Sequence, residues 1–166
     1  MIDFSFTEEQ NLFRESVREW LAKNLPLEKV RENDEKHKLP RDLIKGLGDL
    51  GLLCMTLPEE HGGAGADWVT TTIAAEELGY ADISVAMPVF FLVQASWGYV
   101  VDEYATEAVR SAVLRKAARR DSFIGIGVTE PGGGSDVAGF QTTLKRGGKG
   151  WIVNGEKTYI SGTEEC

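Results

Sequence analysis

Cysteine and histidine are nearly absent from this chain of 166 residues, which holds two of each. Cys54 and Cys166 read as one buried and one exposed thiol rather than as a disulfide or a metal pair. His37 and His61 lie in polar stretches without ligand spacing, so no metal site is expected. Positive charge is also in deficit. Lys and Arg number 18 against 26 Asp and Glu, leaving a net charge of −8. That balance argues against nucleic acid, whose binding requires a basic face, and against anionic membrane surfaces. Met1 to Gln10 hold neither a basic n-region nor a long apolar run, so no signal peptide is expected. Together these deficits favour a reducing, intracellular, cytoplasmic setting. No internal repeat or low-complexity segment is present.

What is there begins with helices. The length suits one domain or a domain and a half. Thr7 with Gln10 three positions on makes a capping box, Glu8 and Glu9 occupy the first turn, and Phe13, Val17, Trp20 and Leu21 share a face. Asn24 and Pro26 end that helix, and Lys23 to Lys38 reads as a solvated, mixed-charge connection. Pro40 suits the first position of a short second helix with Leu43, Ile44, Leu47 and Leu50 on its apolar side. Gly62, Gly63 and Gly65 form a loop. Asp67 caps a third helix, with Val69, Ile73 and Leu78 inward and Gly79 as its stop. The uncharged run Ile83 to Val101 approaches a membrane span in length. Pro88, Gln94, Ser84, Ser96 and Gly98 interrupt it, and its flanks Asp82 and Asp102 are acidic, so a buried core helix is expected. Thr106 starts a fifth helix running to about Arg119.

From Ser122 the hydrophobic period changes to two. Residues 123 to 128 read as a strand entering Thr129-Glu130-Pro131-Gly132-Gly133-Gly134-Ser135-Asp136. Three glycines permit positive φ and close approach of another molecule to the backbone. A P-loop is excluded, since no Lys precedes Ser135. A Rossmann turn is excluded too: Glu130 stands where the third glycine should be, and the residues after Asp136 read as strand. Further on, Gln141 to Arg146 alternates weakly and Gly147 to Gly150 reads as a turn. Trp151 to Val153 is a short strand, Asn154-Gly155 is a hairpin signal, and Lys157 to Ser161 is the returning strand.

Val128-Thr129-Glu130-Pro131-Gly132-Gly133-Gly134-Ser135-Asp136-Val137-Ala138-Gly139 resembles the signature of the acyl-CoA dehydrogenase family. A second block, Ile152 to Gly162, and a weaker third, Leu57 to Gly65, resemble it in the family's order, so the resemblance spans nearly the whole chain. It implies an α+β fold, with an all-helical N-terminal domain at 1–120 followed by an incomplete antiparallel middle β domain at 121–166. The family's chain continues beyond this point, so the sequence is expected to be a portion of a longer protein.

The activity implied is FAD-dependent α,β-dehydrogenation of an acyl-CoA thioester. The resemblance places Ile126, Gly127, Val128, Thr129, Glu130, Pro131, Gly132, Gly133, Gly134, Ser135, Tyr159, Ile160 and Ser161 at FAD, with Ser135 also bordering the acyl-CoA. Tyr159 stands where the family often has Trp, and Ser161 where it usually has Thr. Glu130 is expected to order the loop, and neither it nor Asp136 is nominated as the base. The family's catalytic Glu would lie beyond Cys166, so no catalytic residue is assigned. Arg115, Lys116, Arg119 and Arg120 read as charge at a helix C-terminus, with a CoA-phosphate contact as the alternative. Phe90, Phe91 and Trp97 would crowd a deep acyl tunnel if they faced it. The uncharged helix has no Arg for a second substrate carboxylate. An electron-transfer flavoprotein is the implied acceptor, and the intact protein is expected to be a homo-oligomer, dimer or tetramer. Two other readings stay open: a flavin monooxygenase or oxidase on the same fold, and a non-catalytic subunit completing another chain's flavin site.

Overall fold

A computed structural model describes residues 4–160. The chain divides into two compact units, Met1–Ile124 and Gly125–Cys166. The first is helical. α1 (Glu8–Asn24) opens with the expected capping box: Gln10 N–H donates to the Thr7 hydroxyl at 3.1 Å, and Thr7 N–H donates to Gln10 Oε1 at 3.0 Å. Val17 and Leu21 are its buried residues, with Phe13 and Trp20 partly buried beside them. The stretch expected as a solvated connection instead contains α2 (Leu27–Glu35). Its composition, Leu, Glu, Lys and Arg, favours helix, but Val30 is its sole buried residue, too little to print an apolar period. α3 (Arg41–Asp49) buries Leu43, Ile44 and Leu47; Pro40 is its N-cap rather than its first residue.

α4 (Trp68–Ala81) is capped by Asp67, whose carboxylate accepts from Thr70 N–H at 2.7 Å. Ile73 and Leu78 face inward, but Val69 is 53% exposed, because the buried face runs through Thr71, Ala74 and Glu77. Gly79 does not end the helix, which continues to Ala81. The stop is set by Asp82, whose buried carboxylate accepts from Ser84 N–H at 3.0 Å and Met87 N–H at 2.8 Å and so starts α5 (Ala86–Tyr104). α5 buries Met87, Phe91, Gln94 and Ala95, while Val89 and Leu92 stay exposed. No described helix is long and apolar enough to cross a membrane. α6 (Glu107–Ala118) follows Thr106, whose side chain makes no capping bond.

α1 packs on α4, α4 on α5 and α5 on α6. The main core joins Val17, Leu21, Val30, Leu43, Leu47, Leu78 and Phe91, and a smaller one joins Cys54, Leu57, Leu114 and Ala117. Burial pushes the Cys54 thiol up to about 11, which suits an inert core residue. Cys166 lies outside the described residues. One buried carboxylate, Glu77 on α4, receives Arg14 Nε at 2.7 Å and Arg18 Nε at 2.8 Å, tying α1 to α4.

The second unit carries a single antiparallel hairpin among its described residues. β1 (Thr143–Gly147) pairs β2 (Gly150–Asn154) in the register Thr143↔Asn154, Lys145↔Ile152 and Gly147↔Gly150. Its two-residue loop is Gly148-Lys149, and Gly148 has the positive φ of 49° that the first position of a type II′ turn requires. The hairpin signal at Asn154-Gly155 is therefore overturned. Asn-Gly turns a chain back only if the next segment pairs with the strand before it. Here Thr158 N–H donates to the Thr129 carbonyl at 2.9 Å instead, so the expected return strand is spent on the glycine-loop segment.

Candidate functional site

Residues 123–129 join no strand ladder, contrary to the strand expected at 123–128. The ladder partner is missing because Thr158 supplies one bond to Thr129 rather than a run of them. Glu130 and Gly133 form an isolated bridge, each N–H donating to the other's carbonyl at 3.1 Å, so Pro131 and Gly132 are the central pair of a tight turn. Proline's fixed φ suits the first of those positions. None of Gly132, Gly133 and Gly134 adopts the positive φ that their composition permits. A Cβ built on Gly132 or Gly134 would meet nothing within 4 Å, and one on Gly133 would only touch the Phe140 ring at 3.7 Å. The described fold itself therefore makes no steric or positive-φ demand for glycine at these positions. After Asp136 the chain forms a single 3-10 turn, Val137–Gly139, not strand; Gly139 N–H donates to the Asp136 carbonyl at 3.1 Å.

Glu130 anchors the loop from below. Its carboxylate accepts from Gln141 N–H at 2.6 Å, Thr142 N–H at 2.9 Å and Lys157 Nζ at 2.9 Å. The Thr142 hydroxyl beside it, the Gln141 amide and Lys157 hold its carboxyl down at about 2, against the opposing effect of desolvation. A carboxylate with its lone pairs so engaged is a loop-ordering acceptor and a poor base. Lys157 also donates to the Val128 carbonyl at 2.8 Å and stands 4.2 Å from the centre of the Phe140 ring.

The two signature blocks thus meet. Gly127, Val128, Thr129 and Glu130 on one side face Lys157, Thr158 and Ile160 on the other; Ile160 Cδ1 would lie 3.8 Å from a Cβ on Gly127. Among the described residues the Thr129 and Ser135 hydroxyls have no hydrogen-bond partner. Tyr159 is 93% exposed and sits at φ 56°, a left-handed conformation uncommon for an aromatic residue. Ile126 lies in the irregular run before Gly127, Pro131 in the turn, and Ser161 outside the described residues. Lys157 is the residue that sequence reading passed over. Its place in the second block was the available signal, but a lysine three residues after Asn154 reads as surface charge until Glu130 is seen beneath it.

Other motifs resolve as structure. The Leu57 to Gly65 block is a closed loop: Gly65 N–H donates to the Leu57 carbonyl at 2.8 Å, and a Cβ on Gly63 would run into that same oxygen. His61 Nδ1 contacts Asp102 Oδ1 at 2.7 Å. Arg120 is engaged by Asp49 and by the Lys45 carbonyl, at 3.1 Å for the latter. Phe91 is wholly buried, and Phe90 packs edge-on against Phe123 at 5.2 Å.

The N-terminal domain model of acyl-CoA dehydrogenase matches residues 7–121, and the middle-domain model matches 125–166. The chain is 33% identical over 165 residues to the probable acyl-CoA dehydrogenase YdiO of Escherichia coli, covering 99% of this chain and 42% of that one. It is 28% identical to the glutaryl-CoA dehydrogenase of Desulfococcus multivorans, over 99% and 43%. A crystal structure of a Mycobacterium smegmatis glutaryl-CoA dehydrogenase in complex with FADH2 superimposes with a TM-score of 0.85 at 31% identity, over 93% of this chain and 39% of that one. The chain thus spans about two-fifths of the length of the relatives it matches. Two consecutive domain models, in order and over almost every residue, agree with the helical unit, the hairpin unit and the joined glycine-loop blocks: this chain belongs to the acyl-CoA dehydrogenase family.

Proposed function

We propose that the protein containing this chain removes two hydrogens from the α and β carbons of an acyl-CoA thioester, and that this chain supplies part of its flavin-contacting surface. FAD, when bound, supplies the hydride acceptor. The observation that carries the reading is the bare backbone of Gly132 to Gly134, where the fold leaves room and needs no glycine of its own. The residues fit such a group. Thr129 offers an unengaged hydroxyl to a polar ring edge, Tyr159 an exposed aromatic face, and Ser135 a hydroxyl to a phosphate or to the passing thioester. Ile126, Gly127, Val128, Pro131, Ile160 and Ser161 complete the flavin contacts in this reading.

Removing the α proton needs a base near the reacting carbon and donors for the oxygen that gains charge. Glu130 is assigned neither role: with its carboxyl held at about 2 it has almost no tendency to take a proton at neutral pH. The base is placed outside residues 4–160. An electron-transfer flavoprotein and a homo-oligomeric assembly belong to this same proposal.

The experiment is to purify the full-length protein with FAD, mix it without oxygen with a series of acyl-CoAs, and record the flavin absorbance. Bleaching by at least one acyl-CoA is the expected result. A bound flavin that stays oxidised with every acyl-CoA, or purified protein with no affinity for FAD, would contradict it.

A further inference from the structure

We propose that Lys157 is a positioning residue for the flavin site: it latches the 128–130 segment to the 157–160 segment, so that the two blocks present one surface. This rests on the flavin reading above and extends it to a residue outside the contact surface itself.

The latch is visible as a set of bonds that all end on one side chain. Lys157 Nζ donates to the Val128 carbonyl at 2.8 Å and to Glu130 Oε1 at 2.9 Å. Its stem passes Gly127 so closely that a Cβ there would stand 3.5 Å from Lys157 Cγ. Its ammonium lies 4.2 Å from the centre of the Phe140 ring, and that ring lies beneath Gly133. Next along the chain, Thr158 N–H donates to the Thr129 carbonyl. Val128, Thr129 and Glu130 are thus held in succession by Lys157 and Thr158. The Lys157 side chain is about three-quarters buried against an almost fully buried Glu130.

The chemistry of the set explains why lysine serves here. Glu130 is charged and buried, with two backbone amides on it. Buried charge is costly unless paired, so a cation must close the cluster. An ammonium can direct separate N–H bonds to a carboxylate and a carbonyl while also facing an aromatic ring. The loop turn depends on Glu130 through its bridge to Gly133, so losing the cation loosens the turn and the spacing between Thr129 and Tyr159 together. A ligand that touches both blocks then has to order them on binding, which lowers affinity without removing any contact.

The test uses the full-length protein, first without FAD and then with it, and the variants Lys157→Met, Lys157→Arg and Glu130→Gln. Hydrogen exchange is read first, without FAD. Lys157→Met should speed exchange of the amides of Glu130, Gln141, Thr142 and Thr158 together while the α1 and α4 amides stay unchanged. FAD affinity and the visible spectrum of the bound flavin are read second. Lys157→Met should weaken FAD roughly tenfold and move the spectrum towards that of free flavin, and Lys157→Arg should recover most of both. Unchanged exchange and FAD affinity within twofold of wild type in Lys157→Met would overturn the proposal. If Lys157→Met does not fold, Glu130→Gln decides. It keeps the shape and one acceptor oxygen but replaces the other with an NH2 donor and drops the charge, so it should show the same paired loosening; normal exchange there would overturn the latch. Coupled loosening in a protein that never binds FAD would support the latch and contradict the flavin reading, so the two fail separately.

Discussion

Gln141 N–H reaches the Glu130 carboxylate at 2.6 Å across eleven positions of sequence, and with the Thr142 amide it turns a conspicuous acid beside the glycine loop into a purely structural acceptor.

That bond makes the loop sensitive to pH. The Glu130 carboxyl is held at about 2, below its ordinary value of 4.5, so its contribution is complete above the unfolded-state value and is lost as pH falls from there towards 2. Protection factors of the Gln141 and Thr142 amides should therefore be constant from pH 7 to about 5 and fall below that. Native-state exchange across this range checks it. Loss of protection between pH 7 and 6 would show that a different group controls the loop.

The glycines make a separate prediction. Since a Cβ on Gly132 or Gly134 meets nothing and neither has positive φ, Gly132→Ala and Gly134→Ala should change stability by no more than roughly 0.5 kcal/mol. The same changes should cut FAD affinity, and Gly133→Val should abolish flavin retention. Denaturant melts beside FAD titrations separate the effects. Full FAD affinity in all three variants would remove the glycine loop from the flavin site.

In the helical unit, Glu77 is the test of packing. Its carboxyl is lowered by hydrogen bonds from Arg18, against burial, and by Arg14, so the link holds above the ordinary carboxylate range and weakens as pH drops through it. Glu77→Gln should cost about 2 kcal/mol, since bonds to charged groups are worth roughly 1.5–3 while both arginines keep access to water. Urea unfolding at pH 7 measures the loss, and the gap between wild type and variant should shrink at acid pH. A gap independent of pH would assign the cost to packing alone.

Much of this was legible in the chain itself, and the failures have physical causes. Caps at Thr7 and Asp67 act within three residues, and the face of α3 repeats over nine, so both are local and readable. α2 escaped because it buries one side chain, Val30, and offers no stripe. The Gly79 stop failed because Asp82, three residues later, terminates α4 and caps α5. Asn154-Gly155 misled because the partner of Thr158 is Thr129, far back in sequence. The glycine-loop blocks were recognisable as wording, but that Lys157 and Glu130 close on each other is a tertiary fact. So is the Arg14–Glu77 pair, whose members lie 63 positions apart.

The chain by itself should not turn over. Residues 1–166 supplied with FAD, acyl-CoAs and an artificial electron acceptor should show no sustained activity, because its best-placed acid is held at about 2 and general-base catalysis is worth roughly 10²–10⁴-fold. FAD-dependent turnover by this piece would place the base within it.

Contact between the two joined blocks and the flavin underlies every prediction about FAD made above. Hydrogen exchange of the full-length protein with and without FAD reads that contact without relying on activity. FAD binding should slow exchange at residues 126–135 and 157–160 and leave α1 and α3 unchanged. FAD that binds while leaving both blocks unprotected would contradict the assignment.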